Sequence, residues 1–178
     1  QYLNEAAYWL RDFNFLQSVL NEKRGYKLGA APARLSRFKQ NRPMKAAGLC
    51  RDILGLKEDE PIGDIIALLE SAGVKIKVCR FDLKDFFGFS ISKSDGGPAI
   101  IVNNNTGITV ERQIFTAAHE LGHLLLHPEA YCPSKTSENN KEEKEANCFA
   151  GYFLMPQKAF EKKLNECYGL DFADKVIH

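Results

Sequence analysis

The chain has 178 residues, of which 44% are hydrophobic and 26% charged, with a formal net charge of +1. That is the size of one domain, or of one domain with an appendage, and it can bury roughly 70% of its unfolded surface without disulfides. Global disorder and fibrous structure are excluded by the composition. No apolar run approaches the ~20 residues of a membrane span; the longest are short, as at Ala99–Val102 and Leu124–Leu126.

Gln1 is followed by no basic-then-apolar leader, so no signal peptide is expected. The missing initiator Met is read as the mark of an excised or processed chain. Cys50, Cys79, Cys132, Cys148 and Cys167 are odd in number and form no C-x-x-C pair. They are expected to be reduced thiols in a cytoplasmic protein. The charge is uneven: nine basic residues and no acidic one lie between Lys23 and Arg51. Such a run marks either a phosphate-binding surface or a solvated linker against an acidic body.

Tyr2 to Asn21 carries apolar residues at spacings of three and four and predicts a helix. Gly25, Gly29 and Pro32 interrupt the pattern, which predicts a linker or boundary near residues 23–42. Pro43 is expected to start a helix through Leu54, ended by Gly55, and Pro61 a second one through Ser71. Strands are predicted at Val74–Phe81, Phe86–Ser92 and Pro98–Asn103, the last two as a hairpin. A long helix follows from Val110 to His127, then a polar loop over Pro133–Lys141. A helix over Glu142–Met155 comes next, and another from Pro156 to near Gly169.

Three of the four histidines fall within nine residues: His119, His123 and His127. His119-Glu120-Leu121-Gly122-His123 sits in a helical, half-apolar run, where positions i and i+4 point the same way. That spacing suits two zinc ligands, with Glu120 beside the first as general base on a zinc-bound water. His127 shares the face but is poorly placed as a third ligand and is read as a helix-end or rim residue. The better third ligand lies in Glu142-Glu143-Lys144-Glu145-Ala146-Asn147. By periodicity Glu143 shares a face with Ala146, Asn147, Ala150 and Leu154. Glu145 falls with Tyr152 on a hydrated side, and Glu142 lies between, near Phe149 and Phe153. Asn147 is one turn on, placed to orient a ligand histidine.

The strings Arg112…Phe115-Thr116-Ala117-Ala118-His119-Glu120-Leu121-Gly122-His123 and Glu143-Lys144-Glu145-Ala146-Asn147…Phe153-Leu154-Met155-Pro156 resemble the ImmA/IrrE family of zinc metallopeptidases. The Gly88-Phe89-Ser90 and Ile100-Ile101-Val102-Asn103 strings fit the same pattern, so the resemblance covers about residues 43–160. It implies a regulatory endopeptidase, of bacterial or phage origin, that cleaves a helix-turn-helix repressor. The other reading is a zinc-binding regulatory or sensor module without catalysis. His127 and Tyr131 are the candidates for oxyanion or substrate contacts. The Pro98–Asn103 strand is a candidate for receiving an extended peptide, and Phe86, Phe87 and Phe89 are read as core. Aromatic residues are sparse in the basic segment 23–51 (Tyr26 and Phe38), and no helix-turn-helix is evident. The expected partner is therefore a protein, with no membrane and no direct nucleic acid, although the segment leaves the latter open.

The expected fold is α+β, a small, mostly antiparallel sheet packed beside the two metal-bearing helices, with further N-terminal helices. Residues 1–42 are expected as an N-terminal helix and basic linker, and residues 43–178 as a zinc metallopeptidase domain.

Overall fold

The computed structural model describes residues 2–128 and 140–166. Among them are helices α1 (Tyr2–Val19), α2 (Ala31–Leu35), α3 (Arg42–Leu54), α4 (Ile65–Ser71), α5 (Val110–Leu126), α6 (Asn140–Leu154) and α7 (Gln157–Glu166). Three strands, β1 (Lys75–Cys79), β2 (Gly88–Ile91) and β3 (Ala99–Asn103), form one sheet in the order β1-β3-β2. The class is α+β and the sheet is mixed: β2 and β3 make an antiparallel hairpin, while β1 runs parallel to β3. The return from α4 into β1 imposes that parallel pair, since β1 enters the sheet before the hairpin and docks on the far side of β3.

β3 is buried along its whole length, and its side chains alternate between two cores. Ile100 and Val102 face the larger core, built from α2 to α6, whereas Ala99 and Ile101 face a smaller one with Ala6 and Leu10 of α1, Phe81 and Phe89. Leu121 and Leu125 of α5 are fully buried in the larger core. Each such side chain contributes about 1.5–3 kcal/mol by leaving water.

Residues 23–42, expected as a linker or boundary, are fastened to the body. Leu28, Ala31 and Leu35 lie in the larger core, with Leu28 and Leu35 fully buried. Three apolar side chains at spacings of three and four are enough to fasten a basic segment onto the body while its cations stay outside. The helix expected from Pro61 begins later, because the Asp64 side chain caps it, accepting from the Ala67 N–H at 3.0 Å. α3 ends at Gly55, whose φ of 76° is the left-handed geometry a helix stop of this kind requires. The loop expected over Pro133–Lys141 lies outside the described residues up to 139, as does the end of the last helix beyond Glu166. No helix among the described residues is long and apolar enough to cross a membrane.

Candidate metal centre

The site is made where α5 crosses α6. α5 starts at Thr109, whose hydroxyl accepts from the Arg112 N–H, and stops before Pro128. Its buried face is almost continuous from Thr116 to Leu126. Against it α6 lies close, and Gly122 is the reason: a Cβ there would meet the Ala146 Cα at 3.2 Å and the Phe149 ring at 3.0 Å. The buried arc of α6 is Ala146, Phe149, Ala150 and Phe153. Phe149 and Phe153 therefore belong to the inward face, and Glu143 and Asn147 stand at its border. The expected arc was rotated relative to this, because the interface of the two helices is centred on the phenylalanines and the polar residues sit at its rim.

Four polar atoms converge there. The Nε2 atoms of His119 and His123 are 3.0 Å apart. The two oxygens of Glu143 lie 3.3 Å from His119 Nε2 and 3.2 Å from His123 Nε2. His119, His123 and Glu143 are the group among the described residues whose donor atoms can hold a metal ion. Neither Glu142 nor Glu145 approaches both imidazoles. The Nδ1–H of His119 donates to Asn147 Oδ1 at 3.0 Å, which leaves Nε2 with its lone pair facing Glu143 and His123.

Electrostatics define what this group can accept. Burial pushes both imidazoles toward the neutral form, His119 below its ordinary value and His123 down to about 3, the latter helped by His119 and His127. Neutral imidazoles with their Nε2 atoms turned toward one another beside a carboxylate offer the donor set that a metal cation takes. With metal–ligand bonds of ~2.0–2.1 Å, donor atoms on one tetrahedron lie ~3.3 Å apart, so the observed spacings fit a zinc ion with two nitrogens and a carboxylate.

Glu120 follows His119 on α5 and turns to Ser90 of β2. It is 6% exposed, and its Oε2 has no hydrogen-bond partner among the described residues. Burial raises its pKa to about 8, with the Ser90 hydroxyl and backbone hydrogen bonds pulling it down and the Glu143 charge pushing it up. Ser90, on β2, is itself buried. The alternation of a short strand gave no reason to single it out.

Arg112 is the second neighbour that sequence reasoning left without a role. Its guanidinium stacks 3.8 Å above the Phe87 ring and 5.8 Å from that of Phe115, and its charge depresses the His119 pKa. Phe86 and Phe89 pack with Phe81 in the smaller core, so Phe87 is the one that turns to α5. Asn103 shapes this loop: its Nδ2 donates to the Phe81 and Phe86 carbonyls and its Oδ1 accepts from the Phe81 N–H.

His127 lies one turn past His123, with ring centroids 5.5 Å apart. Its side chain is 6% exposed and its Nε2 is 3.6 Å from Glu145 Oε2. Glu145 is not on a hydrated side, as expected, but 3.5 Å from Arg42 Nη1 as well. The Arg42 Nη2 donates to the Leu126 carbonyl at 2.7 Å, so α3, α5 and α6 are tied together at the end of α5. The sequence placed no partner for Glu145 because Arg42 is a hundred residues away. Tyr131 lies outside the described residues. The strand expected to take up a peptide, Pro98–Asn103, is the central one, with β1 and β2 on either side. Both its edges are paired, which leaves it no room for an added strand.

A family model described as the IrrE N-terminal-like domain, of a peptidase family, matches residues 69–170. An "uncharacterized immunity region protein 2" of Bacillus phage phi105 is 34% identical over 76 residues, which is 40% of this chain and 47% of that protein. The chain thus spans about half the length of that relative. With the model matched over more than half of its residues, the chain belongs to the IrrE N-terminal-like peptidase family.

Proposed function

We propose that the protein is a zinc-dependent endopeptidase that cleaves a regulatory protein, a helix-turn-helix repressor, in the cytoplasm. The observation that carries this reading is the convergence of His119, His123 and Glu143 at tetrahedral spacings beside a buried carboxylate with an oxygen unpartnered among the described residues. The phage immunity-region relative supports a repressor as substrate, and the unpaired Cys50, Cys79 and Cys148 support a reducing compartment. In this reading the peptidase domain is 43–178, and the segment 1–42 docks on it through Leu28, Ala31 and Leu35.

His119, His123 and Glu143 would hold the zinc ion, which would supply Lewis acidity to the site. Glu120 accepts the proton of the attacking water and returns it to the leaving amine. Ser90 holds the Glu120 carboxylate in one orientation, and Asn147 holds His119 in the tautomer that ligates through Nε2. β2 is an edge strand and carries Ser90, so an extended substrate adding to it runs past Glu120. The burial of His127 against Glu145 favours a role in holding the helix end over contact with substrate.

The test combines metal analysis of the purified chain with incubation against candidate helix-turn-helix repressors. One zinc per chain and a single cleaved peptide bond are expected. Zinc without cleavage of any such repressor selects the regulatory or sensor module instead, and His119→Ala or His123→Ala protein that keeps stoichiometric zinc refutes the site.

A further inference from the structure

The basic run between Lys23 and Arg51 plays no part in the peptidase reading, and the structure divides it into two kinds of residue. Arg42 and Arg51 turn inward onto backbone carbonyls. Arg34, Arg37 and Lys45 turn outward and rim an open cavity of about 660 Å³ between α2 and α3. Phe38, Gly48, Leu49 and Asp52 complete its wall. Small-molecule sites commonly occupy ~300–1,000 Å³, so the cavity is of ligand size.

Three features of the wall point to one class of ligand. The first is charge: among the described residues none of Arg34, Arg37 and Lys45 has an ion pair, and Asp52 is the single carboxylate facing them. The second is an apolar surface beside the cations, Phe38 and Leu49, with Lys45 Nζ held 4.7 Å from the Phe38 ring centroid. The third is Gly48. It stands in the interior of α3, where glycine weakens a helix relative to alanine. Nothing lies within 4 Å of where its Cβ would be, so no crowding requires it. What the glycine leaves is a bare stretch of helix surface on the cavity floor.

We propose that this cavity binds a nucleotide, with its phosphates on Arg34 and Arg37 and its base over Phe38 and the open floor at Gly48. Planar guanidinium groups match pairs of phosphate oxygens, and an aromatic face beside a bare backbone accepts a flat ring. Lys45 adds a third cation to the cavity, and Asp52 is available to accept from a sugar hydroxyl.

The test uses ADP as probe, titrated calorimetrically into the full chain, with pyrophosphate and a ten-residue single-stranded DNA in parallel. Saturable binding of ADP is expected, about tenfold tighter than pyrophosphate, which lacks a ring to stack. Replacing Arg34 and Arg37 together by Gln weakens ADP binding by about tenfold or more. Gly48→Leu keeps every charge and weakens ADP binding to a similar extent by filling the floor. All three positions are exposed, and circular dichroism confirms that the variants remain folded. Absence of saturable ADP binding, equal binding of pyrophosphate, or full binding by folded variants overturns the proposal. Oligonucleotide binding tighter than that of ADP, with a steep salt dependence, also overturns it in favour of an extended nucleic-acid surface.

Discussion

The α5–α6 pair and the α2–α3 segment both concentrate ionisable residues, yet they treat them in opposite ways. On α5 and α6, Glu120 and His123 are buried and His119 partly so, burial pushes each toward its neutral form, and Glu143 draws the two histidines together. Around α2 and in the first turn of α3, Arg34, Arg37 and Lys45 stay in water, and the segment is held by Leu28, Ala31 and Leu35 beneath them. The difference teaches what each region is fit for. Buried groups with shifted pKa values suit chemistry on a bound atom, whereas solvated cations suit the attraction of an anion. Arg51 crosses this division. It belongs to the basic run by sequence but is 4% exposed, with its guanidinium donating to the carbonyls of Phe153, Lys57 and Glu60.

The comparison breaks first if the three carboxylates of α6 are interchangeable. Glu143→Gln is expected to lower zinc affinity by at least ~100-fold, beyond the loss typical when residues that merely orient ligands are changed. Glu145→Gln is expected to leave zinc affinity unchanged and to cost about 1–2 kcal/mol of stability, because Arg42 and His127 lose their partner. Zinc titration and denaturant unfolding of both proteins separate the two roles. A Glu145→Gln protein that loses zinc means α6 is rotated from the arrangement described.

Gly122→Ala tests whether the close helix crossing sets the site. The added methyl meets the Ala146 backbone, which cannot yield as a flexible side chain would. α6 must shift, and zinc affinity is expected to fall by about tenfold, as when a ligand's supporting contacts are disturbed. Unchanged affinity in the Ala variant shows that the crossing has slack.

Arg51→Met sharpens the contrast within the basic run. Removing the guanidinium strands one buried carbonyl, that of Phe153, and two part-buried ones, so a loss of about 2–4 kcal/mol is expected in urea unfolding. Arg34→Gln, on the exposed rim, is expected to change stability by no more than about 0.5 kcal/mol. Similar losses for the two erase the distinction between structural and solvated cations.

The i, i+4 spacing put His119 and His123 on one face of α5, and helical periodicity with the family resemblance singled out Glu143, but periodicity misplaced the inward arc of α6, which Phe149 and Phe153 occupy. Gly122 stood in the motif, but its purpose appears only when Ala146 and Phe149 of α6 are seen against it. Ser90 and Arg42 were not legible, since each acts on a residue far along the chain and neither carries a local pattern. In the basic segment charge dominated the pattern and hid the three anchors below it. The late start of α4 shows a local signal outweighed by another: Pro61 can open a helix, but Gly63 and the capping carboxylate of Asp64 set the boundary.

The central claim is that Glu120, buried beside the His119, His123 and Glu143 cluster, moves the proton in peptide hydrolysis. The direct measurement compares zinc-loaded wild type with Glu120→Gln, quantifying zinc per chain and the rate at which repressor fragments appear by mass spectrometry. The account predicts equal zinc in both proteins and a cleavage rate lower by about 10²–10⁴-fold in the variant, the loss typical of removing a general base. A Glu120→Gln protein that cleaves at the wild-type rate with full zinc contradicts it.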